Sequence, residues 1–132
     1  MRIVFDTNIW ISFLIGKRLS ILKTLLLNPK IEVWFCAELE QEFLDVAHRS
    51  KIRKYVDEKH INRVHKLMTD CEHCEITKRE KISIRDAKDI FLLELAENVG
   101  ADYLVTGDTD LLSIRQYGNT FIINFETVLT II

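Results

Sequence analysis

Short apolar runs alternate along the chain with segments whose apolar residues recur at helical spacing. Residues 1–5, 31–36, 103–106 and 120–124 are short, apolar and rich in β-branched or aromatic side chains, which predicts buried strands. A further strand is predicted over residues 75–77. Helices are predicted around Ile9–Leu14 and over residues 19–27, 37–49, 53–70, 86–98, 111–115 and 125–132. This alternation is typical of an α/β protein with a parallel sheet between helices.

Length and composition narrow the class of protein. The 132 residues, 48% of them hydrophobic, suit one globular domain over residues 1–132. The 18 basic residues against 20 acidic ones give no overall basic excess, so nucleic-acid binding would need local charge or bound cations. The apolar run 9–15 is far shorter than a membrane span of about 20 residues. Three cysteines exclude a complete disulfide framework and favour a reducing cytoplasm.

Acidic residues stand where the predicted strands and helices meet. Asp6 directly follows the first strand, and Asp108 and Asp110 follow the strand at 103–106. The carboxyl ends of parallel strands share one edge of the sheet, where ligands bind in such folds. Other acids stand at a predicted helix start, Asp86 and Asp89, or on the helix after the second strand, Glu42. Grouped carboxylates repel one another, so this pattern favours a hard divalent cation such as Mg²⁺ or Mn²⁺.

Each acid also has an ordinary structural interpretation. Asp6, Asp86 and Asp89 could cap helices, Asp108 and Asp110 could be turn residues, and Glu42 could be a solvated helix charge. Their joint placement favours the metal site. The chain contains neither GxxxxGK[ST] nor GxGxxG, which argues against nucleotide-phosphate folds of the same rhythm.

Three segments together carry a family resemblance. Residues 1–8 (MRIVFDTN), 40–51 (EQEFLDVAHRSK) and 86–112 (DAKDIFLLELAENVGADYLVTGDTDLL) resemble the signature regions of PIN-domain proteins, most of all VapC-like toxin components. Each segment alone is weak evidence, whereas the combination is specific and spans nearly the whole chain. The resemblance implies a three-layer α/β/α sandwich with a central parallel sheet.

The resemblance also implies a site. The four invariant acids of the family fall on Asp6, Glu42, Asp89 and Asp108, which would be catalytic metal ligands, with Asp110 as an auxiliary ligand. Asp86 is the second choice for the role of Asp89. The family's polar residues around the site fall on Thr7, Asn8 and Thr106. Cys36 and Ser50 stand where the family often has Ser and Pro, which leaves Glu38 as an alternative to Glu42.

The implied activity is hydrolysis of single-stranded RNA with two Mg²⁺ or Mn²⁺ ions bound by Asp6 and its neighbours, which leaves a 5′-phosphate. The implied partners are an antitoxin protein and a second copy of the chain in a homodimer. Two alternatives stay open: an RNA-processing nuclease without an antitoxin, and a non-catalytic binding module. The complete set of acids speaks against the second.

Two further clusters invite hypotheses. A zinc site could involve His65, Cys71, His73 and Cys74, but a second ligand pair is missing, and no strand–motif–helix context supports a thioredoxin-like role. The basic run of Arg49, Lys51, Arg53 and Lys54 is interpreted as a solvated loop, and the alternative is that it holds RNA beside the metals. Trp10 and Trp34 are expected in the core rather than as base-stacking platforms.

Overall fold

Strands and helices alternate in the computed structural model, which describes residues 1–16, 18–77 and 90–132. The strands are β1 (Arg2–Phe5), β2 (Glu32–Phe35), β3 (Glu72–His73), β4 (Tyr103–Val105), β5 (Gln116–Tyr117) and β6 (Thr120–Ile123). The helices are α1 (Thr7–Ile15), α2 (Leu19–Leu27), α3 (Ala37–Ala47), α4 (Ser50–Arg53), α5 (Glu58–Thr69), α6 (Ile90–Val99), α7 (Thr109–Ile114) and α8 (Phe125–Ile131). The predicted helix over 86–98 continues to Val99, and its first four residues lie outside the described ranges.

The strands form one sheet in the order β3-β2-β1-β4-β6-β5. β1 lies in the middle and pairs in parallel with β2 on one side and with β4 on the other. β4 pairs in parallel with β6, while β5 runs antiparallel to β6. The sheet is therefore mostly parallel and flanked by helices, as predicted, and the strand order reverses beside β1.

The sequence analysis made one wrong prediction about strands and missed one strand. The strand expected over residues 75–77 does not form, and β3 lies three residues earlier as an exposed edge strand. Ile76 is buried without belonging to a strand, so its apolar side chain suggested an element that does not exist there. The sequence analysis also missed β5, a two-residue strand joined to β6 by a tight turn in which Gly118 has a φ of 58°.

The core surrounds the central strand. Ile3, Val4 and Phe5 have no exposed surface, which shows that both faces of β1 are covered. Phe5 packs edge to face against Trp10 and Phe13, with ring centroids 5.8 and 5.9 Å apart. Trp10 is fully buried, as predicted. Trp34 is only half-buried, because its indole N–H reaches Glu32 Oε1 at 3.2 Å on the surface.

Helix packing positions the carboxyl edge of the sheet. α1 begins directly after β1 and packs against α3 and α5, whereas α6 packs against β1 and β4. Both α1 and α3 start where a parallel strand ends, so their first turns lie at the same edge as the loop after β4. Among the described residues, no helix is both long and apolar enough to cross a membrane.

Candidate metal centre

Asp6 stands at the centre of the carboxyl edge. Its backbone N–H donates to Val105 O at 2.9 Å, which ties the end of β1 to the end of β4. Its side chain caps α1, because Oδ1 accepts from the Thr7 N–H at 2.6 Å. Oδ2 accepts from the Thr106 hydroxyl at 2.7 Å. Asp6 therefore caps a helix, as one interpretation of the sequence had it, and its carboxylate is also held by Thr106, the residue that follows β4.

Burial sets the electrostatics of Asp6. Only 6% of the residue is exposed, and this loss of water raises the pKa of its carboxyl group above 3.8. The hydrogen bonds from Thr106 and Thr7 oppose that rise in pKa, and the nearby charge of Asp108 adds to it. Asp6 is thus a costly anion beside a second anion, an arrangement that a bound cation would relieve.

Asp108 lies in the loop between β4 and α7. Its Oδ1 accepts from the N–H groups of Asp110 and Leu111 at 2.8 and 3.2 Å, so Asp108 caps α7. Its own N–H donates to the Thr106 hydroxyl oxygen at 3.0 Å. Thr106 therefore links the two acids, donating its proton to Asp6 and accepting from the backbone of Asp108. Asp110 belongs to the first turn of α7, where its N–H is used by the cap.

The polar residues after Asp6 also face this edge. Asn8 Oδ1 receives a long hydrogen bond of 3.4 Å from the Gly107 N–H, which connects α1 to the loop after β4. A Cβ at Gly107 would lie 3.7 Å from Asn8 Nδ2, so the Asn8 side chain packs against the backbone of this loop. The Thr7 hydroxyl is buried and finds no hydrogen-bond partner within the described ranges. An unpartnered buried oxygen beside a buried carboxylate fits a site that takes an ion or its water.

On α3, Glu40 lies on a different face from the two candidate glutamates, Glu38 and Glu42. Glu40 faces α5, where His65 Nε2 contacts its carboxylate at 2.8 Å. Glu42 is half-buried two residues further, about 200° around the helix from Glu40, and so lies on the flank away from α5. Glu38 lies near the Cys36 and Cys74 thiols, on the side of β3. Glu38 and Glu42 are four residues apart and so lie on the same face of α3, with Glu38 one turn nearer the start of the helix.

Asp86 and Asp89 lie outside the described residues. Within the ranges that the structure describes, no three His, Cys, Asp or Glu side chains form a group that could hold a metal ion. The described part of the candidate centre is therefore the pair of Asp6 and Asp108 with the polar groups around it.

The cysteine–histidine cluster does not form a zinc site in the described structure. His65 pairs with Glu40, and the Cys71 thiol donates to Leu67 O at 3.3 Å. Burial raises the pKa of the Cys71 thiol to about 12, which disfavours the thiolate that zinc or a redox partner needs.

The basic run after α3 lies at the opposite end of that helix from the sheet edge. The 11 residues of α3 separate the run from the carboxyl edge by about 16 Å. Arg53 contacts Glu58, which also binds His48 Nε2 at 3.0 Å. The run is solvated, as predicted, but it is not a loop, because Ser50–Arg53 form the short helix α4. Its position at the far end of α3 speaks against a cradle beside the metals.

The sequence analysis passed over one buried acid. Glu94 lies on α6 with 5% of its surface exposed, and its backbone oxygen accepts from Asn98 at 2.7 Å. The signal was a single glutamate inside the apolar helical run IFLLELA.

Comparison with known proteins identifies the fold and the family. The fold is similar to that in a crystal structure of VapBC2 from Rickettsia felis bound to a DNA fragment from their promoter. The TM-score is 0.64 at 16% identity, and the match covers 94% of this chain and 98% of that one. No curated protein matches the chain in sequence. The PIN domain model matches residues 2–110, a range that includes Asp6 and Asp108. The chain therefore belongs to the PIN domain family, whose members are in general nucleases.

Proposed function

We propose that this protein is a metal-dependent endoribonuclease that cleaves single-stranded RNA and is the toxin of a toxin–antitoxin pair. The observation that carries the proposal is that the Thr106 hydroxyl bridges two acids, Asp6 and Asp108, at the switch in strand order. Asp6 is buried, its pKa is raised by burial, and Asp108 lies close enough to raise that pKa further. Such a pair is stable and charged at neutral pH when a cation lies between its members.

The donor set matches Mg²⁺ or Mn²⁺, since both prefer carboxylate oxygens and water to imidazole or thiolate. In this proposal Asp6, Asp89 and Asp108 hold two ions, Glu42 and Asp110 complete the set, and Asp86 supports Asp89. A bound divalent ion would supply an activated water and neutralise the charge that develops on the phosphate.

The described residues prepare the ligands for that chemistry. The Thr106 hydroxyl and the Thr7 N–H fix one oxygen each of the Asp6 carboxylate. Asn8 and Gly107 keep the α1 terminus and the loop after β4 together. These groups directly follow two adjacent strands, β1 and β4, which fix their backbone. The carboxylates therefore keep their positions when a charged substrate arrives.

The toxin assignment is supported by the similarity in fold to the Rickettsia felis VapBC2 structure. In this proposal the protein acts in the cytoplasm, pairs with an antitoxin and forms a homodimer. An RNA-processing nuclease without an antitoxin is the competing assignment. The reading frame adjacent to the gene distinguishes the two, because a small DNA-binding partner is expected only for a toxin.

Cleavage of a single-stranded RNA by the purified protein tests the activity. We expect Mn²⁺ or Mg²⁺ to be required, and we expect Asp6→Asn and Asp89→Asn each to abolish cleavage while the circular dichroism spectrum is unchanged. Asp45→Asn, an exposed acid on α3, is the matched control and should cleave like the wild type. If both site variants still cleave, these acids are not the catalytic ligands. An RNA that binds but is never cleaved by the wild type would instead support the non-catalytic module.

A further inference from the structure

A second charged feature lies away from the acidic edge, between α2 and α5. The two helices border an open cleft of about 440 Å³. Among the described residues, no acid lines this cleft. Four cationic side chains line it: Lys23, Lys59, Arg63 and Lys66. In a chain with a formal net charge of -2, four like charges around one cleft are a marked local excess.

Three of these cations form a stripe on one helix. Lys59, Arg63 and Lys66 follow one another at intervals of four and three residues, so they lie on the same face of α5 over about 10 Å. Lys23 reaches the cleft from α2 on the opposite wall. Lys66 also contacts Asp70 at 3.0 Å, whereas Lys23, Lys59 and Arg63 form no ion pair with any other described residue. The stripe is thus exposed and largely uncompensated.

The neighbouring cavity defines where an anion can lie. Its volume is about 420 Å³. It shares Lys23 and Leu67 with the basic cleft, and the rest of its lining is mostly apolar. Its polar lining includes three acids, Glu32, Asp70 and Glu72. An acidic peptide that extended from the basic cleft into this apolar cavity would meet those carboxylates. A polyanion whose charges run along the stripe of α5 avoids them.

We propose that the cleft between α2 and α5 binds the phosphodiester backbone of single-stranded RNA at a site separate from the acidic edge. The choice of RNA as the polyanion rests on the function proposed above, whereas the choice of a polyanion rests on the charges alone. Lys59, Arg63, Lys66 and Lys23 contact successive phosphates, and the contact carries no base specificity.

Fluorescence anisotropy of a labelled 20-nucleotide single-stranded RNA tests this proposal. The measurement is made in EDTA, so that binding is observed without cleavage, over a series of KCl concentrations. The variant K59Q/R63Q removes two cations from the cleft. Its matched control, K51Q/K54Q, removes the same charge from the exposed basic run after α3, where neither lysine forms an ion pair with a described residue.

We expect K59Q/R63Q to weaken binding at least tenfold and to reduce the slope of log K against log salt by about 1.4, since each phosphate contact on a single strand contributes about 0.7. The control should keep the wild-type slope. Equal losses in both variants would show a general charge effect and overturn the proposal, as would unchanged binding in K59Q/R63Q.

A second ligand separates the two classes of polyanion. If an oligoglutamate peptide binds the wild type in a manner that K59Q/R63Q abolishes, while RNA binding does not depend on the cleft, the cleft is a protein site and the proposal is wrong. Failure of the nuclease proposal would look different: RNA binding would depend on the cleft, yet the wild type would not cleave in Mn²⁺.

Discussion

Asp6 and Glu58 are both carboxylates with two polar partners, yet their pKa values move in opposite directions. Asp6 lies at the carboxyl edge with 6% of its surface exposed, and burial raises its pKa in spite of hydrogen bonds from Thr106 and Thr7. Glu58 lies exposed near the far end of α3, and its hydrogen bond to His48 lowers its pKa, with a smaller contribution from Arg53. The number of partners therefore does not decide the direction.

The difference is the cost of losing water. Around Asp6, neutral donors replace water only in part, so the anion stays costly and a cation would be bound favourably. Around Glu58, water remains and the partners include a permanent cation, so the group is already compensated. The comparison separates a site that is incomplete without a ligand from a surface network that is complete in itself.

The largest expected effect on cleavage comes from α3, where Glu42 is proposed to belong to the site around Asp6. Glu42→Gln should reduce Mn²⁺-dependent RNA cleavage about 100-fold or more, because it replaces a proposed ion ligand by a neutral group. Glu38→Gln, one turn earlier on the same face of α3, should leave cleavage unchanged, since the Glu38 carboxylate lies near the Cys36 and Cys74 thiols. Initial rates of cleavage measure both. The reverse result would move the family's second acid to Glu38.

Removal of the Thr106 hydroxyl should have the next largest effect. Thr106→Val leaves the buried Asp6 oxygen without its donor and the Asp108 N–H without its acceptor. We expect a loss of about 1–3 kcal/mol in the free energy of unfolding and a loss of about 10–100-fold in cleavage. Urea unfolding and initial rates measure these, and Thr106→Ser, which keeps the hydroxyl, should restore most of both. A fully stable and active valine variant would show that Thr106 does not hold the acids.

The raised pKa of Asp6 predicts how stability depends on pH. A group with a raised pKa in the folded state contributes stability below its unfolded pKa, near 3.8, and that contribution is lost as pH rises through the folded pKa. Asp6→Asn removes this loss, so in EDTA the variant should gain stability relative to the wild type as pH rises from about 4 to 7.

Urea unfolding of both proteins at several pH values measures this gain. Mn²⁺ should stabilise the wild type at pH 7 and not the variant, so it should reduce the difference in free energy of unfolding between the two proteins. A difference between the two proteins that does not change with pH would mean that burial at Asp6 is not the dominant influence on its charge.

The sequence predicted the elements around Asp6 better than the partners that set its charge. The apolar runs at 1–5 and 103–106 and the acids after them were sufficient to place Asp6 and Asp108 at one edge, because parallel strands impose that geometry. The hydroxyl bridge through Thr106 depends on side-chain direction, which spacing does not give. At α3, the neighbours that Glu38, Glu40 and Glu42 each face depend on how the helix packs against α1 and α5. Short edge strands such as β3 and β5 escaped prediction because two residues carry too little pattern.

The exposed network should give the smallest effect, and it tests whether the two regions are independent. Glu58 raises the pKa of His48 above 6.5, while His48 lowers the pKa of Glu58 below 4.5. The contribution of His48 to stability is present below pH 6.5 and is lost as pH rises through its raised pKa. The contribution of Glu58 to stability is lost as pH falls through its lowered pKa.

Glu58→Gln should therefore return the His48 pKa toward 6.5 in an NMR titration and reduce stability slightly, most of all between pH 4.5 and 6.5. Cleavage in Mn²⁺ should not change, because Glu58 binds His48 at the far end of α3, about 16 Å along that helix from the carboxyl edge. A loss of cleavage in this variant would show that the far end of α3 influences the acids at its start, and the separation drawn between the two regions would then fail.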